Sequence, residues 1–367
     1  MKRIALIIPT MDRGGAEKQL CLLAENLPRD QFESHVFLLT RDGPRSGRLR
    51  DADIPVTVIG KRFKADPSAL FRLKRELSRL KPDVAHTWLF AANSFGRAAA
   101  RLAKVPHIIG SERCVDPWKT SAHFWIDRRL AARSDAITTN SSGVKDFYAS
   151  HGIPGELFEV IPNGIEPREP TTIDRDEVFN RLQVDPGRKL ILAVGRLWPQ
   201  KRYRDLIWAA ELLATLREDT TLVIIGDGPQ RGELLRHRDA VSISQHVRFA
   251  GARNDVADLL PHANLFWIGS EYEGQSNSVI EAMQAGVPVI ASDIPGNRDL
   301  VLDHETGRLV KLGDTADFAR QSNTVLEDEE LTAKLASAAQ RRIASEFTVA
   351  AMVGKHRDLY HRVTKSP

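Results

Sequence analysis

Short apolar runs alternate with segments of helical period along almost the whole chain, and the alternation restarts once. The first series places strands at residues 4–8, 35–39, 56–59, 84–86, 107–110, 136–139 and 157–161, with helical periodicity over 16–27, 67–80 and 94–103. The second places strands at 190–194, 221–225, 247–249, 265–268 and 287–290. Strands that are apolar throughout are buried on both faces, which calls for parallel sheets with helices on either side. Two series therefore imply two doubly wound α/β domains. The break falls at Pro162, Asn163, Gly164 and Ile165, and the polar stretch 166–176, with Pro167 and Pro170, reads as a linker. The expected domains are residues 1–165 and 166–348, followed by a C-terminal helix in 349–367.

A chain of 367 residues is long enough for two cores, and 42% apolar with 27% charged residues is a globular balance. No stretch approaches the roughly 18 to 20 apolar residues of a membrane span. The run 4–8 is too short for a signal peptide and is stopped by Pro9, Asp12 and Arg13, so it reads as a first strand. Cys21 and Cys114 lack metal spacing and fit a reducing cytoplasm. Net charge is +4, with basic residues gathered in the first half: Arg62, Lys64, Arg72, Lys74, Arg75, Arg79 and Lys81, then Arg97, Arg101, Lys104, Arg128, Arg129 and Arg133. Several readings of that face stay open: it attracts phosphates or anionic lipid, or it is a set of solvated helix sides. Nothing in the pattern suggests nucleic acid as a partner.

In open parallel sheets ligands bind outside the carboxyl ends of strands, so the loops there carry the chemistry. After strand 190–194 come Gly195, Arg196 and Lys201, a tight turn with two cations that suit a pyrophosphate; a solvated loop is the alternative. After strand 265–268 come Glu273, Gly274, Gln275, Ser276 and Asn277, with Glu281 inside the helix that starts near Asn277. The backbone N–H groups of that helix start form a natural anion site, and Glu281 is placed for ribose hydroxyls. Gly226, Asp227, Gly228 and Pro229 make a turn without the full dinucleotide fingerprint, and Arg253 is a candidate base-edge contact. Gly14 and Gly15 before Ala16 and Glu17 allow another close backbone approach.

Taken in order and spacing, these motifs resemble those of glycosyltransferase family 4, whose members have the GT-B fold of two Rossmann-like domains facing a central cleft. Asp83 to His86, Ile161 to Gly164 and the stretch from Glu281 to Ile290 extend the resemblance over nearly the whole chain. It implies a retaining transferase using a nucleotide sugar, with front-face attack and with the leaving phosphate helping to deprotonate the acceptor. Arg196 and Lys201 would meet the donor phosphates, Glu281 the ribose, and Glu273 the transferred sugar. The backbone from Gly274 to Asn277 would hold sugar and pyrophosphate, with Gly195, Gly226, Arg253 and Gly15 also on the donor. No metal or other cofactor is implied. The first domain would bind the acceptor, the second the donor, and the C-terminal segment would cross back to the first.

Two features stand apart. Asp51-Ala52-Asp53 matches a metal-binding pattern of a different glycosyltransferase fold, but it precedes a strand and reads as a solvated loop. Where many relatives carry a histidine after the strand at 107–110, this chain has Ser111, Glu112 and Arg113. Glu112, Arg113 or His86 is then expected on the acceptor side, together with Gly14 and Glu17. The segment 121–130 mixes Phe124, Trp125 and Ile126 with Arg128 and Arg129, and suits either a membrane interface or an internal helix. The expected function is transfer of a hexosyl or N-acetylhexosaminyl group, from a UDP-sugar before GDP-mannose, to a carbohydrate or lipid-linked acceptor in surface polysaccharide or glycolipid assembly. An epimerase or hydrolase on the same fold, and a non-catalytic sugar-nucleotide-binding subunit, remain as rivals.

Overall fold

The computed structural model describes residues 1–241 and 243–365. These divide into two units, Met1–Gly164 with the stretch from Thr348 onward, and Ile165–Phe347. The first unit begins β1 (Lys2–Ile8), α1 (Gly15–Asn26), β2 (Phe32–Leu38), α2 (Ser46–Asp51), β3 (Val56–Val58) and α3 (Pro67–Leu80). It continues β4 (Val84–Trp88), α4 (Leu89–Leu102), β5 (His107–Glu112), α5 (Ser121–Ala131), β6 (Ala136–Thr139), α6 (Ser142–Ser150) and β7 (Phe158–Val160). The strands pair in parallel in the order β3-β2-β1-β4-β5-β6-β7.

Successive side chains of a strand point to opposite faces, so an unbroken apolar run feeds two cores. In β1, Ile4, Leu6 and Ile8 join Leu20 and Leu23 of α1 on one face. Ala5 and Ile7 join Leu73 and Leu77 of α3 on the other. α3 starts where its sequence directs: Asp66 accepts from the Ala69 N–H at 3.1 Å and Pro67 opens the first turn.

The second unit runs α7 (Arg175–Leu182), β8 (Lys189–Val194), α8 (Tyr203–Leu216), β9 (Thr220–Ile225), α9 (Arg231–Ala240), β10 (Val247–Gly251) and α10 (Val256–Leu259). Then come β11 (Leu265–Ile268), α11 (Asn277–Gln284), β12 (Val289–Ser292), α12 (Pro295–Arg298), β13 (Arg308–Val310), α13 (Thr315–Glu327) and α14 (Glu329–Glu346). Its parallel sheet has the order β10-β9-β8-β11-β12-β13. Leu190 and Leu192 face one core, Ile191 and Ala193 the other. α15 (Val349–Lys365) then packs in the first unit, where Met352, Val353, Leu359, Tyr360 and Val363 share the core of α1.

Three local differences from the sequence pattern matter. β5 runs on through Ser111 and Glu112, which are buried strand residues and not a loop. α4 begins at Leu89, not near residue 94, because Leu89 at φ 68° turns the chain directly from strand to helix. The edge strand β13 was not expected; three residues containing an arginine make no apolar run. Among the described residues no helix is long and apolar enough to cross a membrane.

Candidate functional site

The strand order of the second sheet reverses between β8 and β11. Loops leaving these two strands run in opposite directions and open a crevice at their carboxyl ends, which is where such sheets bind ligands. The β8 loop carries Gly195, Arg196 and Lys201, and the β11 loop carries Glu273 to Ser276. The two loops are tied together. Gln200 Nε2 donates to the Tyr272 carbonyl at 2.7 Å, the Glu271 N–H donates to the Gln200 carbonyl at 2.9 Å, and Lys201 Nζ pairs with Glu273. That ion pair is largely sheltered, with 15% and 11% of its side chains exposed, so each charge offsets the other in the unliganded site. Arg196 is exposed, with its guanidinium 5.3 Å from the Trp198 ring, and makes no ion pair among the described residues.

Ser276 stands at the N-cap of α11 but its side chain does not cap the first turn; its hydroxyl lies 3.0 Å from that of Ser278. The first turn of α11 thus takes no cap from the Ser276 side chain, and it starts beside buried Gly274 and Gln275. Glu281 is the fifth residue of this helix. Small residues make the packing possible. A Cβ on Gly296 of α12 would come within 2.1 Å of the Gly274 carbonyl oxygen, and one on Gly228 within 2.6 Å of that of Leu197. Gly226, at φ 146°, is the tightest: its Cβ would lie 1.9 Å from the Gly195 carbonyl oxygen. Gly195 N–H donates to the Ile225 carbonyl and Gly226 N–H to that of Gly251, so the ends of β8, β9 and β10 are laced together. In the loop after β10, Arg253 is held through both Nε and Nη2 by Asp255, whose carboxyl is drawn below its usual range chiefly by that hydrogen bond.

The first-unit candidates are scattered. Gly14 precedes α1, and a Cβ there would sit 2.0 Å from Glu17 Oε2. The Glu17 carboxylate thus folds over the start of α1, where Gly15 is the first residue, and complements the helix dipole itself. A diphosphate at Gly15, expected from the glycine pair, would meet that carboxylate; the structure does not favour it. His86 also departs from expectation. It is fully buried, with Nδ1 2.8 Å from Tyr360 Oη and Nε2 3.2 Å from Thr138 Oγ1, and burial drives its pKa well down. It is a neutral core histidine with no face toward an acceptor. Glu112 and Arg113 are both buried and, as neighbours in extended chain, go to opposite sides of the sheet. In segment 121–130, Phe124 and Asp127 face inward while Trp125 is 54% exposed with Arg129 against its ring. Among the described residues no three His, Cys, Asp or Glu side chains group as metal ligands, and Asp51 closes α2.

Comparison with known proteins bears on this arrangement. Residues 174–342 match the family described as Glycosyl transferases group 1, and residues 13–169 the one described as Glycosyltransferase Family 4. The chain is a glycosyltransferase built of these two domains. This glycosyltransferase is 26% identical over 356 residues to the Escherichia coli UDP-Gal:alpha-D-GlcNAc-diphosphoundecaprenol alpha-1,3-galactosyltransferase, covering 92% of this chain and 90% of that one. It is 25% identical to the Campylobacter jejuni N-acetylgalactosamine-N,N'-diacetylbacillosaminyl-diphospho-undecaprenol 4-alpha-N-acetylgalactosaminyltransferase, over 90% of this chain and 92% of the other. In fold it matches the crystal structure of Anabaena HepE in complex with UDP-glucose, with a TM-score of 0.88 and 24% identity over 99% of this chain and 100% of that one. The architecture of the glycosyltransferase is therefore GT-B.

One cluster in the glycosyltransferase was not foreseen. On the α5 side of β5, Lys119 Nζ reaches Asp127 at 2.9 Å, Tyr148 Oη at 2.9 Å, Asp116 at 3.4 Å and Glu112 at 3.8 Å, while Arg97 reaches Asp127 at 3.3 Å. Three carboxylates face two cations. Burial, only partly offset by Lys119, pushes the Glu112 carboxyl up to about 7. A signal was available: Arg97 sits among Ala92, Asn93, Gly96, Ala99 and Ala100 on the buried stripe of α4, and Asp127 lies between Phe124 and Ala131 on that of α5. A charge on an apolar helix stripe calls for a buried partner.

Proposed function

We propose that the enzyme is a retaining, metal-independent hexosyl- or N-acetylhexosaminyltransferase that uses a nucleotide sugar, a UDP-sugar before GDP-mannose. Its acceptor is a carbohydrate or lipid-linked glycan in the assembly of cell-surface polysaccharide or glycolipid. The observation that carries this reading is the convergence of Arg196, Lys201, Glu273 and the N-terminus of α11 at the carboxyl ends of β8 and β11. The names of the Escherichia coli and Campylobacter relatives, both acting on diphosphoundecaprenol-linked sugars, support the acceptor class.

In this reading Arg196 and Lys201 neutralise the donor pyrophosphate and the charge that grows on it as the glycosidic bond breaks. The N–H groups from Gly274 to Asn277 hold its oxygens, and Glu281 accepts from the ribose hydroxyls. Glu273, released in part from Lys201 when phosphate arrives, accepts from hydroxyls of the sugar. Two cations and a helix N-terminus supply the stabilisation that a divalent ion supplies elsewhere. The reading includes a cytoplasmic enzyme resting against the inner face of the membrane, supported by outward Trp125 and Ile126 beside Arg129; absence of binding to anionic liposomes at low salt would count against that part.

The test is transfer from a panel of UDP- and GDP-sugars in EDTA to a prenyl-diphosphate sugar, with the product anomer read by NMR. One donor should give a product of retained configuration, and Lys201→Met should lower kcat about 10²- to 10³-fold. Donor consumed without acceptor, or an inverted product, would refute the reading.

A further inference from the structure

Glu112 and Arg113 leave β5 on opposite faces, and only Glu112 finds counter-charges. Arg113 is 8% exposed. Its Nη2 donates to Asn163 Oδ1, and its guanidinium lies 4.8 Å from the centroid of the Trp88 ring. Its Nε and Nη1 are buried without a hydrogen-bond partner, and no carboxylate pairs with it among the described residues. Burial alone lowers its pKa, to about 9.

Two more polar atoms beside it are unmatched, Trp88 Nε1 and His356 Nε2. The Trp88 and His356 rings stack with centroids 6.2 Å apart. His356 Nδ1 lies 2.9 Å from the Met352 carbonyl, which can only accept, so Nδ1 carries the hydrogen. Burial keeps that ring neutral, with its pKa near 3, and Nε2 is then a lone pair able to take a hydroxyl hydrogen. A desolvated guanidinium with two idle donors and no anion is among the most costly arrangements a fold can retain. It becomes favourable once an oxyanion fills the fork.

We infer that Arg113 is the receptor for a phosphate or diphosphate group on the acceptor. The second Nη2 hydrogen, with the hydrogen of Nε or of Nη1 beside it, takes two of its oxygens, and Trp88 Nε1 stands by as a further donor, which suits a tetrahedral oxyanion better than a planar carboxylate. The inference rests on the transferase reading and gives the acceptor its chemistry. It also accounts for a buried arginine where a histidine stands in many relatives. Asn163, after β7, fixes the guanidinium plane through Nη2.

The test begins with calorimetric titration of inorganic diphosphate into the full chain carrying Arg196→Ala and Lys201→Ala, which lacks the donor-site cations. Binding is expected to persist there and to weaken about 100-fold when Arg113→Met is added. The unliganded Arg113→Met protein should melt no lower than its parent, since the change removes an unpaired buried charge. Arg113→Lys, which keeps the charge and loses the fork, serves if the methionine variant does not fold, with a loss of about tenfold expected. Turnover then compares one acceptor sugar as its prenyl diphosphate, its free 1-phosphate and a neutral glycoside.

Arg113→Lys should raise KM in a phosphate-bearing arm and leave the neutral arm unchanged. A response in the prenyl arm alone marks a lipid-linked acceptor; one in the free phosphate arm alone marks a soluble one. Absence of diphosphate binding in the double variant, or an equal KM rise in all three arms, overturns the inference. If UDP still binds the wild type in that event, the donor reading stands; if UDP binding fails as well, the transferase reading itself has failed.

Discussion

Gly226→Ala is the substitution whose cost the structure defines best. The residue has φ 146°, a region that side chains avoid, and its new methyl would lie 1.9 Å from the Gly195 carbonyl oxygen. Backbone meets backbone there, so no side chain can swing away. The loops must part by about 1.5 Å to restore ordinary contact. Conformational strain adds about 1–3 kcal/mol and overpacking a similar amount, together about 2–6 kcal/mol. For a unit of this size each kcal/mol moves Tm by roughly 2–4 °C, so the variant should melt at least about 4 °C lower. The displaced Gly195 carries Arg196 and Lys201 with it, and UDP affinity should fall by about tenfold or more. Circular dichroism melting and UDP titration are the assays. Gly251→Ala is the internal control: φ is 68° but nothing lies within 4 Å, so only strain of about 1 kcal/mol applies. Equal melting of Gly226→Ala and Gly251→Ala would refute the reasoning.

Two further outcomes follow from particular residues. Glu112 has its folded pKa raised from 4.5 to about 7, so the folded state holds a proton that the unfolded state has released across that window. Stability contributed by the protonated carboxyl is present below pH 4.5 and is lost as pH rises toward 7. Glu112→Gln should therefore raise Tm relative to wild type at pH 8 and leave it nearly unchanged at pH 4.5; an equal shift at both would contradict this. Gly354 lies inside α15 with open space around its Cβ position. Gly354→Ala should stabilise the first unit by about 0.5–1 kcal/mol in urea unfolding, and a loss of stability would show that α15 packs otherwise.

The strands legible from the sequence were those with uninterrupted apolar runs, because both of their faces are buried. β11 appears at the expected residues 265–268 for that reason. What periodicity missed was polar burial. Ser111 and Glu112 extend β5 with polar partners brought from elsewhere, Asn93 of α4 on the Ser111 backbone and Lys119 beside the Glu112 carboxylate, and such scattered partners form no linear pattern. His86 looked reachable because its environment is completed from far along the chain, by Tyr360 at a separation of 274 residues. The glycines, cations and helix start of the loops after β8 and β11 were legible at the strand ends where the structure has them. Their ion pair Lys201–Glu273 was not, since opposite charges 72 residues apart meet only through the strand order.

The central claim is that the second unit holds a nucleotide sugar through the loops of β8 and β11 without a metal. Calorimetric titration of UDP in EDTA, into the wild type and Glu281→Ala, tests it most directly. The account predicts binding by the wild type that EDTA does not change and that the variant loses by about tenfold or more, as expected for removing a carboxylate that accepts ribose hydroxyls. UDP affinity equal in the two proteins, or binding that appears only with a divalent ion, would contradict it.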